Sequence, residues 1–177
     1  DGVINEDVDH LGQVSQLRLL PGAPDALRAL QAEFLLVVVT NQSGIAKGLF
    51  TEEALFSVHS EIVAQLSNEG VVIDALFYCP HHQDAAVQAY AQICECRKPK
   101  PGMLLKAKNQ WGLDMNESYM IGDRPSDIQA GQRAGVKCIF LGEPSQLQVP
   151  EAQYASDLAD AANLILAGQT PVSTIIR

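Results

Sequence analysis

Short apolar runs alternate with segments of helical periodicity along most of the chain. Apolar residues recur at helical spacing over residues 22–30, 51–68, 102–111, 126–134 and 158–166. The β-branched run FLLVVVT (34–40) and the runs at 71–79, 118–121 and 136–141 have the length and composition of buried strands. This alternation predicts an α/β fold with an open, mainly parallel sheet and helices on both faces. In such a sheet, ligands bind at the carboxyl ends of the strands.

The connection between residues 80 and 101 departs from this pattern. It is rich in His, Gln, Cys and Pro and lacks periodicity, so we expect a bound group to order it. Cys79 directly precedes it, two adjacent histidines lie at its start, and Cys94 and Cys96 lie near its end. Three thiolates and one imidazole make a closed tetrahedral zinc site, which is structural because no ligand position stays open. The sequence therefore predicts a zinc loop over about 79–97, with His81 or His82 as the fourth ligand.

Length and charge restrict the class of protein. The 177 residues predict one domain over 1–177, and the tail from Gln169 has no pattern that predicts an element. A formal net charge of −9 disfavours binding to nucleic acid or to an anionic membrane surface. The apolar runs are too short to cross a bilayer, so a cytoplasmic protein is expected. An anionic ligand needs a local basic pocket, and CRKPKPG supplies Arg97, Lys98 and Lys100.

Polar residues follow the ends of the expected strands in three loops, DGVIN (1–5), TNQSG (40–44) and GDRPSD (122–127). We expect these loops to meet at one edge of the sheet. There, the carboxylates of Asp1 and Asp123 can hold a hard cation such as Mg²⁺. The hydroxyl of Thr40 and the backbone N–H groups near Asn41 can hold phosphate oxygens. Basic residues of CRKPKPG can neutralise phosphoryl oxygens during an in-line displacement.

The order and spacing of these four segments resemble the haloacid dehalogenase (HAD) superfamily of phosphotransferases. Its motifs run Asp-x-Asp-Gly, then Ser or Thr after the second strand, then Lys, then Gly-Asp with a further Asp. They correspond here to DG at Asp1, TNQSG at Thr40, RKPKPG with Lys98, and GDRPSD with Asp123 and Asp127. The resemblance covers nearly the whole chain and implies a Rossmann-like sheet with a zinc-loop insertion and no large cap domain.

The resemblance also implies roles for individual residues. The nucleophile would be an Asp two residues upstream of Asp1, which itself would act as the general acid and base. Mg²⁺ would be bound by that upstream carboxylate, by the backbone carbonyl of Asp1 and by Asp123. Lys98 and Thr40 would hold the phosphoryl group, and Asp127 would orient a basic group or the loop. Arg124 would reach the substrate phosphate or a neighbouring loop.

Within the superfamily, the zinc loop resembles the branch that contains heptose bisphosphate phosphatases and histidinol-phosphate phosphatases. This favours Cys79, His81, Cys94 and Cys96 as the zinc ligands, which would fix Arg97 and Lys98 beside the phosphate. The segments TNQSGIAKG, CPHH, the long span to CEC and CRKPKPGM resemble those of the heptose enzymes. This resemblance implies a small phosphorylated sugar as substrate, with removal of the 7-phosphate of a heptose 1,7-bisphosphate in lipopolysaccharide synthesis. The segment after Asn5, however, lacks the Gly-Tyr-Val that such enzymes often have.

Two other functions remain open from the sequence. Histidinol phosphate is the alternative substrate, and a phospholigand-binding protein without turnover is the alternative class. A nucleic-acid 3′-phosphatase is disfavoured because the chain has no basic stripe. The simplest assembly is a monomer. Lys47 is either a surface charge or part of the site, and His10 and His59 are expected on the surface without partners.

Overall fold

The structure is a computed structural model that describes residues 1–143 and 152–168. The tail from Gln169, for which no element is predicted, lies outside these residues. Within the two described ranges, no helix combines the length and the apolar content that crossing a bilayer requires.

The described residues contain six α-helices and five strands, which alternate along most of the chain. The helices are α1 Ala23–Leu30, α2 Ser43–Ala46, α3 Glu52–Asn68, α4 Gly102–Trp111, α5 Pro125–Ala134 and α6 Leu158–Gly168. The strands are β1 Val37–Asn41, β2 Ala75–Cys79, β3 Tyr119–Gly122, β4 Lys137–Leu141 and β5 Gln153–Ala155. All five predicted helices and four predicted strands are present, whereas α2 and β5 were not predicted.

Local signals set most helix ends where the sequence predicts them. The hydroxyl of Thr51 accepts the Ala54 N–H at 3.2 Å, which caps α3 at its start. Helices α4 and α5 end at Gly112 and Gly135, both with positive φ, the conformation that glycine adopts most readily. The helices therefore begin and end within two residues of the predicted bounds.

The first two strands are shorter than predicted. Leu36 stands before β1, where its N–H donates to the Asp74 carboxylate at 2.7 Å and its carbonyl accepts the Asp74 N–H at 2.9 Å. This pairing through a side chain interrupts the regular ladder. Strand β1 consequently begins at Val37 instead of residue 34, and β2 begins at Ala75 instead of residue 71.

The strands form two parallel sheets, β1–β2 and β3–β4–β5. Alternate residues of β4 enter different cores. Ile139 joins the core between α1, α3 and α6, and Cys138 and Phe140 join the core beside α5. Both sheets are parallel, as predicted, and β4 is covered on both faces.

A cavity of about 610 Å³ lies between β1 and β3. Its walls are mainly apolar and include Val37 and Val39 of β1 and Ile121 of β3. In the described residues, each of these two strands pairs with a neighbour on one side alone. The polar residues Asp1 and Asp123 also line this cavity, which places the candidate site at its edge.

Candidate active site

Two of the three predicted polar loops meet through the side chain of Gln42. Its Nε2 lies 3.2 Å from Asp1 Oδ2 and 3.2 Å from Thr40 Oγ1. The third loop approaches the first at the residue after Asp1, because Gly2 lies against the carboxylate of Asp123. The predicted convergence of these loops at the carboxyl ends of the strands is therefore observed.

Both oxygens of the Asp1 carboxylate accept hydrogen bonds from buried amides. Asn5 Nδ2 lies 2.7 Å from Oδ1, and Gln42 Nε2 bonds Oδ2. Asn5 and Gln42, which carry these amides, are 2% and 5% exposed. Neither was predicted as a functional residue, and the only signal for them is that they stand within the polar loops DGVIN and TNQSG.

The backbone of Gly2 closely approaches the carboxylate of Asp123. Gly2 has φ +74°, and a Cβ at this position would lie 2.1 Å from Asp123 Oδ2. Burial, together with the nearby Asp127 carboxylate, raises the pKa of Asp123. The partly desolvated Asp123 carboxylate and the nearby backbone of Asp1 together offer oxygen donors of the kind that Mg²⁺ prefers.

Lys98 is held inside the site by two contacts. Its Nζ lies 2.7 Å from Asp127 Oδ1 and 2.7 Å from the carbonyl oxygen of Val39. Asp127 also accepts the backbone N–H of Arg124 at 3.0 Å, which closes the first turn of α5. Asp127 thus orients a basic group and a loop together, which is the role that the resemblance implies.

The side chain of Asn41 clamps the backbone of Lys98. Its Nδ2 donates to the Lys98 carbonyl and its Oδ1 accepts the Lys98 N–H, both at 3.0 Å. Both polar ends of the amide are therefore engaged with the lysine loop. The predicted contact with phosphate stays a prediction. Because the side chain is engaged, the backbone N–H groups near Asn41 would make this contact.

Other basic residues around the site contact neighbouring loops. Arg124 forms an ion pair with Asp7, and its Nε lies 4.0 Å from Asp123 Oδ2. Arg97 Nη1 donates to the carbonyl of His81 at 3.3 Å, so the arginine is tied to the start of the zinc loop. The site is consequently bordered by two guanidinium groups in an acidic chain.

The expectations for two histidines were wrong. His10 has a partner, because its Nε2 lies 3.0 Å from Lys47 Nζ. His59 packs against the ring of Tyr78 with 5.8 Å between ring centroids, and burial lowers its pKa to about 4. A lone histidine, in a loop like His10 or on a periodic helix like His59, gives no sequence signal for such tertiary contacts.

The predicted zinc ligands form one cluster. One donor atom from each residue lies within 4.8 Å of all the others, in the set Cys79, His81, Cys94 and Cys96. His82 instead lies near Asp84, whose backbone N–H it accepts at 3.1 Å. Burial raises the pKa of the Cys79 thiol, a cost that a bound cation offsets by stabilising the thiolate. The donor set and its size therefore fit a closed zinc site formed with His81.

Backbone contacts tie the zinc cluster to the lysine loop. Cys96 directly precedes Arg97 and Lys98, and Gly102 N–H donates to the carbonyl of Glu95 at 3.0 Å. A Cβ at Gly102 would lie 2.3 Å from that carbonyl oxygen, so glycine permits the close approach. The loop from Glu95 to Gly102 is thus closed on itself and presents Lys98 to the site.

Comparison with known proteins identifies the class. Residues 95–161 match the model of the HAD-hydrolase-like family. The structure superposes with a TM-score of 0.84 and 33% identity on a D,D-heptose 1,7-bisphosphate phosphatase from B. bronchiseptica complexed with magnesium and phosphate, covering 96% of each chain. The corresponding enzyme from Burkholderia thailandensis gives a TM-score of 0.68 at 25% identity, covering 96% of this chain and 95% of that one. The chain is a HAD-like hydrolase.

Curated relatives narrow the assignment further. A D-glycero-β-D-manno-heptose-1,7-bisphosphate 7-phosphatase of Yersinia pestis is 40% identical over 158 residues, which are 89% of this chain and 84% of the relative. The Escherichia coli K12 enzyme of the same name is 40% identical over 177 residues, covering 97% of this chain and 93% of the relative. The chain belongs to this family of phosphatases.

Proposed function

We propose that the protein is a Mg²⁺-dependent phosphatase that hydrolyses the 7-phosphate of D-glycero-D-manno-heptose 1,7-bisphosphate. The observation that carries the proposal is the convergence of Asp1, Thr40, Lys98 and Asp123 at one edge of the sheet. The printed names of relatives that are 40% identical over most of the chain support the choice of substrate.

The proposed reaction has two chemical steps. A carboxylate oxygen of an Asp two residues upstream of Asp1 bonds to phosphorus, and the bond from phosphorus to the sugar oxygen breaks. Asp1 gives its proton to that leaving oxygen. Asp1 then takes a proton from water as the water oxygen attacks the aspartyl-phosphate, which releases inorganic phosphate and restores both carboxyl groups.

The cavity between β1 and β3 supports the position of the nucleophile. Asp1 and Asp123 line it together with the inner edges of both strands. If the residues before Asp1 pass through the cavity as an extended segment, this segment would run beside both β1 and β3. Neighbouring strands in a sheet lie only about 4.8 Å apart. Its last residues would then reach the edge at which Lys98 and Thr40 lie.

The basic residues would bind the phosphoryl group. In this proposal Lys98 and the Thr40 hydroxyl hold the transferring group, with backbone N–H groups near Asn41. Arg97 and Arg124 neutralise its remaining charge or that of the second phosphate. The clamp from Asn41 and the ion pair with Asp127 set the position of Lys98 before substrate binds.

Two metal ions complete the proposal. The Asp123 carboxylate, the carbonyl of Asp1 and the upstream Asp would hold Mg²⁺, which would neutralise charge on the phosphoryl oxygens. Zinc would be held by Cys79, His81, Cys94 and Cys96 in a structural role. Cysteines that form no disulfide are typical of a reducing compartment, which supports a cytoplasmic location.

Phosphate release by the full-length chain tests the proposal. The substrates are the α and β anomers of D-glycero-D-manno-heptose 1,7-bisphosphate and histidinol phosphate, each with and without Mg²⁺. We expect Mg²⁺-dependent release from a heptose bisphosphate and retention of the 1-phosphate. Preference for histidinol phosphate would move the protein to that branch. No phosphate release from any of these substrates, with both metals bound, would favour a phospholigand-binding protein without turnover.

A further inference from the structure

We infer that Asn5 and Gln42 are positioning residues that jointly orient the carboxyl group of Asp1 for proton transfer. The inference rests on the proposed function, in which Asp1 is the general acid and base. It extends that function by naming two residues that touch neither the phosphoryl group nor the metal in this scheme.

The two amides grip the carboxylate at different oxygens. Asn5 Nδ2 lies 2.7 Å from Oδ1, and Gln42 Nε2 lies 3.2 Å from Oδ2. One contact spans 4 residues of the chain and the other spans 41. Two donors from separate loops on separate oxygens fix the plane of the carboxyl group, whereas one donor would leave it free to rotate about the bond.

Asn5 is itself held in place. Its Nδ2 donates a second hydrogen bond to the carbonyl of Glu6 at 3.0 Å, and its own carbonyl accepts the Gly2 N–H at 2.7 Å. Asn5 also forms an antiparallel bridge with Leu19. These contacts place the amide independently of Asp1, so it acts as a rigid support.

Gln42 is held equally firmly and links two parts of the site. Its backbone N–H donates to the carbonyl of Cys79 at 2.8 Å, and its Nε2 is shared between Asp1 and the hydroxyl of Thr40. The proposed acid and base is thereby connected to the proposed phosphate-binding hydroxyl. The contact with Thr40 helps to hold the amide of Gln42 against Asp1.

The burial of the amides explains why they are suited to this task. At 2% and 5% exposure, Asn5 and Gln42 are nearly excluded from water, so a lost partner is not replaced by solvent. Proton transfer needs donor and acceptor within hydrogen-bond reach, and general acid–base catalysis contributes about 10²- to 10⁴-fold to rate. Misalignment of Asp1 should therefore remove part of that factor.

Substrates with different leaving groups distinguish a role in positioning Asp1 from a general structural role. Departure of a sugar alkoxide needs protonation, whereas p-nitrophenolate leaves without a proton. Misalignment of Asp1 therefore lowers kcat/KM for the sugar phosphate and spares kcat/KM for p-nitrophenyl phosphate, since this constant covers only the steps through the first chemical one. General damage to the site lowers both in proportion.

The experiment uses the full-length chain with Gln42→Met, Asn5→Leu and the matched control Gln65→Met. Gln65 lies on α3, and its amide bonds only to Glu61 among the contacts described. We expect kcat/KM for heptose bisphosphate to fall about 10- to 100-fold in each site variant and to change less than about 3-fold for p-nitrophenyl phosphate. The control should match the wild type on both substrates. If Asn5→Leu does not fold, Asn5→Ser gives the same comparison.

A double-mutant cycle completes the test. In an Asp1→Asn background, Gln42→Met should cost less than about 2-fold more, because the group that it positions no longer transfers protons. Equal losses on the two substrates, no loss, or an undiminished loss in the Asp1→Asn background would each overturn the inference while leaving the phosphatase intact. A wild-type chain inactive on both substrates would overturn the proposed function and the inference together.

Discussion

Lys98 and Asp127 form an ion pair that is almost closed to solvent. Nζ and Oδ1 lie 2.7 Å apart, and the two side chains are 11% and 6% exposed. The second oxygen of Asp127 accepts the Arg124 N–H at the start of α5. One carboxylate thus fixes Lys98 and the first turn of α5 together.

Asp127→Asn should destabilise the protein and lower its activity. The substitution keeps the shape of the side chain but leaves Lys98 as a buried charge without its anion. Removing one partner of a buried pair costs about 3 kcal/mol in the free energy of unfolding, measurable by urea denaturation. Phosphate release should fall as well, because Lys98 loses a contact that orients it.

Asp25→Asn is the matched control for this change. Asp25 pairs with Arg28 on α1, and these side chains are 77% and 46% exposed. An exposed pair contributes less than about 1 kcal/mol. Similar losses in the two variants would contradict a special role for burial at Lys98.

Loss of zinc should disturb the lysine loop. Cys94→Ser removes one of four clustered ligands, while Cys138→Ala removes a buried thiol that lies outside the cluster. We expect about one zinc per chain in the wild type and in Cys138→Ala, and little zinc in Cys94→Ser. Metal analysis after gel filtration gives the comparison. Full zinc in Cys94→Ser would refute the ligand set.

Chelation provides an independent check on the role of the zinc. Because Cys96 adjoins Arg97 and Lys98, removing zinc should lower activity even though no residue proposed for catalysis is changed. Activity should return on adding zinc back. Unchanged activity in zinc-free protein would show that the loop holds Lys98 without the metal.

Gly2→Ala should weaken Mg²⁺-dependent activity. The new Cβ would lie 2.1 Å from Asp123 Oδ2, so the carboxylate must move. Gly112→Ala is the control, since Gly112 also has positive φ but has nothing within 4 Å of its would-be Cβ. Both variants carry backbone strain of about 1 kcal/mol, and only Gly2→Ala should raise the Mg²⁺ concentration for half-maximal activity. Equal effects would assign the role of Gly2 to backbone strain alone.

Features that depend on local sequence signals were predicted better than features that depend on long-range contacts. Helix α4 has the predicted bounds because Gly102 follows a proline and Gly112 ends the periodic segment. The Cys/His cluster was predicted because sulfur and imidazole at such spacing have few other uses. By contrast, the clamp of Asn41 on Lys98 joins residues 57 apart, and the sequence shows an amide without showing what it bonds. The same reason hid Gln42.

The stability of the protein should depend on the protonation of His59. Burial lowers the pKa of His59 to about 4, from 6.5 in an exposed histidine. The unfolded chain therefore binds more protons than the folded chain between these values, and the free energy of unfolding falls as pH decreases through this range. Above about 6.5 the imidazole is neutral in both states, so its contribution is complete there.

His59→Gln should remove this component of the pH dependence. The free energy of unfolding is measured in urea at pH 7 and pH 5, with zinc content checked at both. Between these pH values, the wild type should lose about 1 kcal/mol more than His59→Gln, after allowance for solvent screening of a partly exposed ring. At pH 7 the free energy of unfolding of the variant should be lowered only by the lost packing against Tyr78. Parallel losses in the two proteins would mean that His59 titrates in the folded state as it does in the unfolded chain.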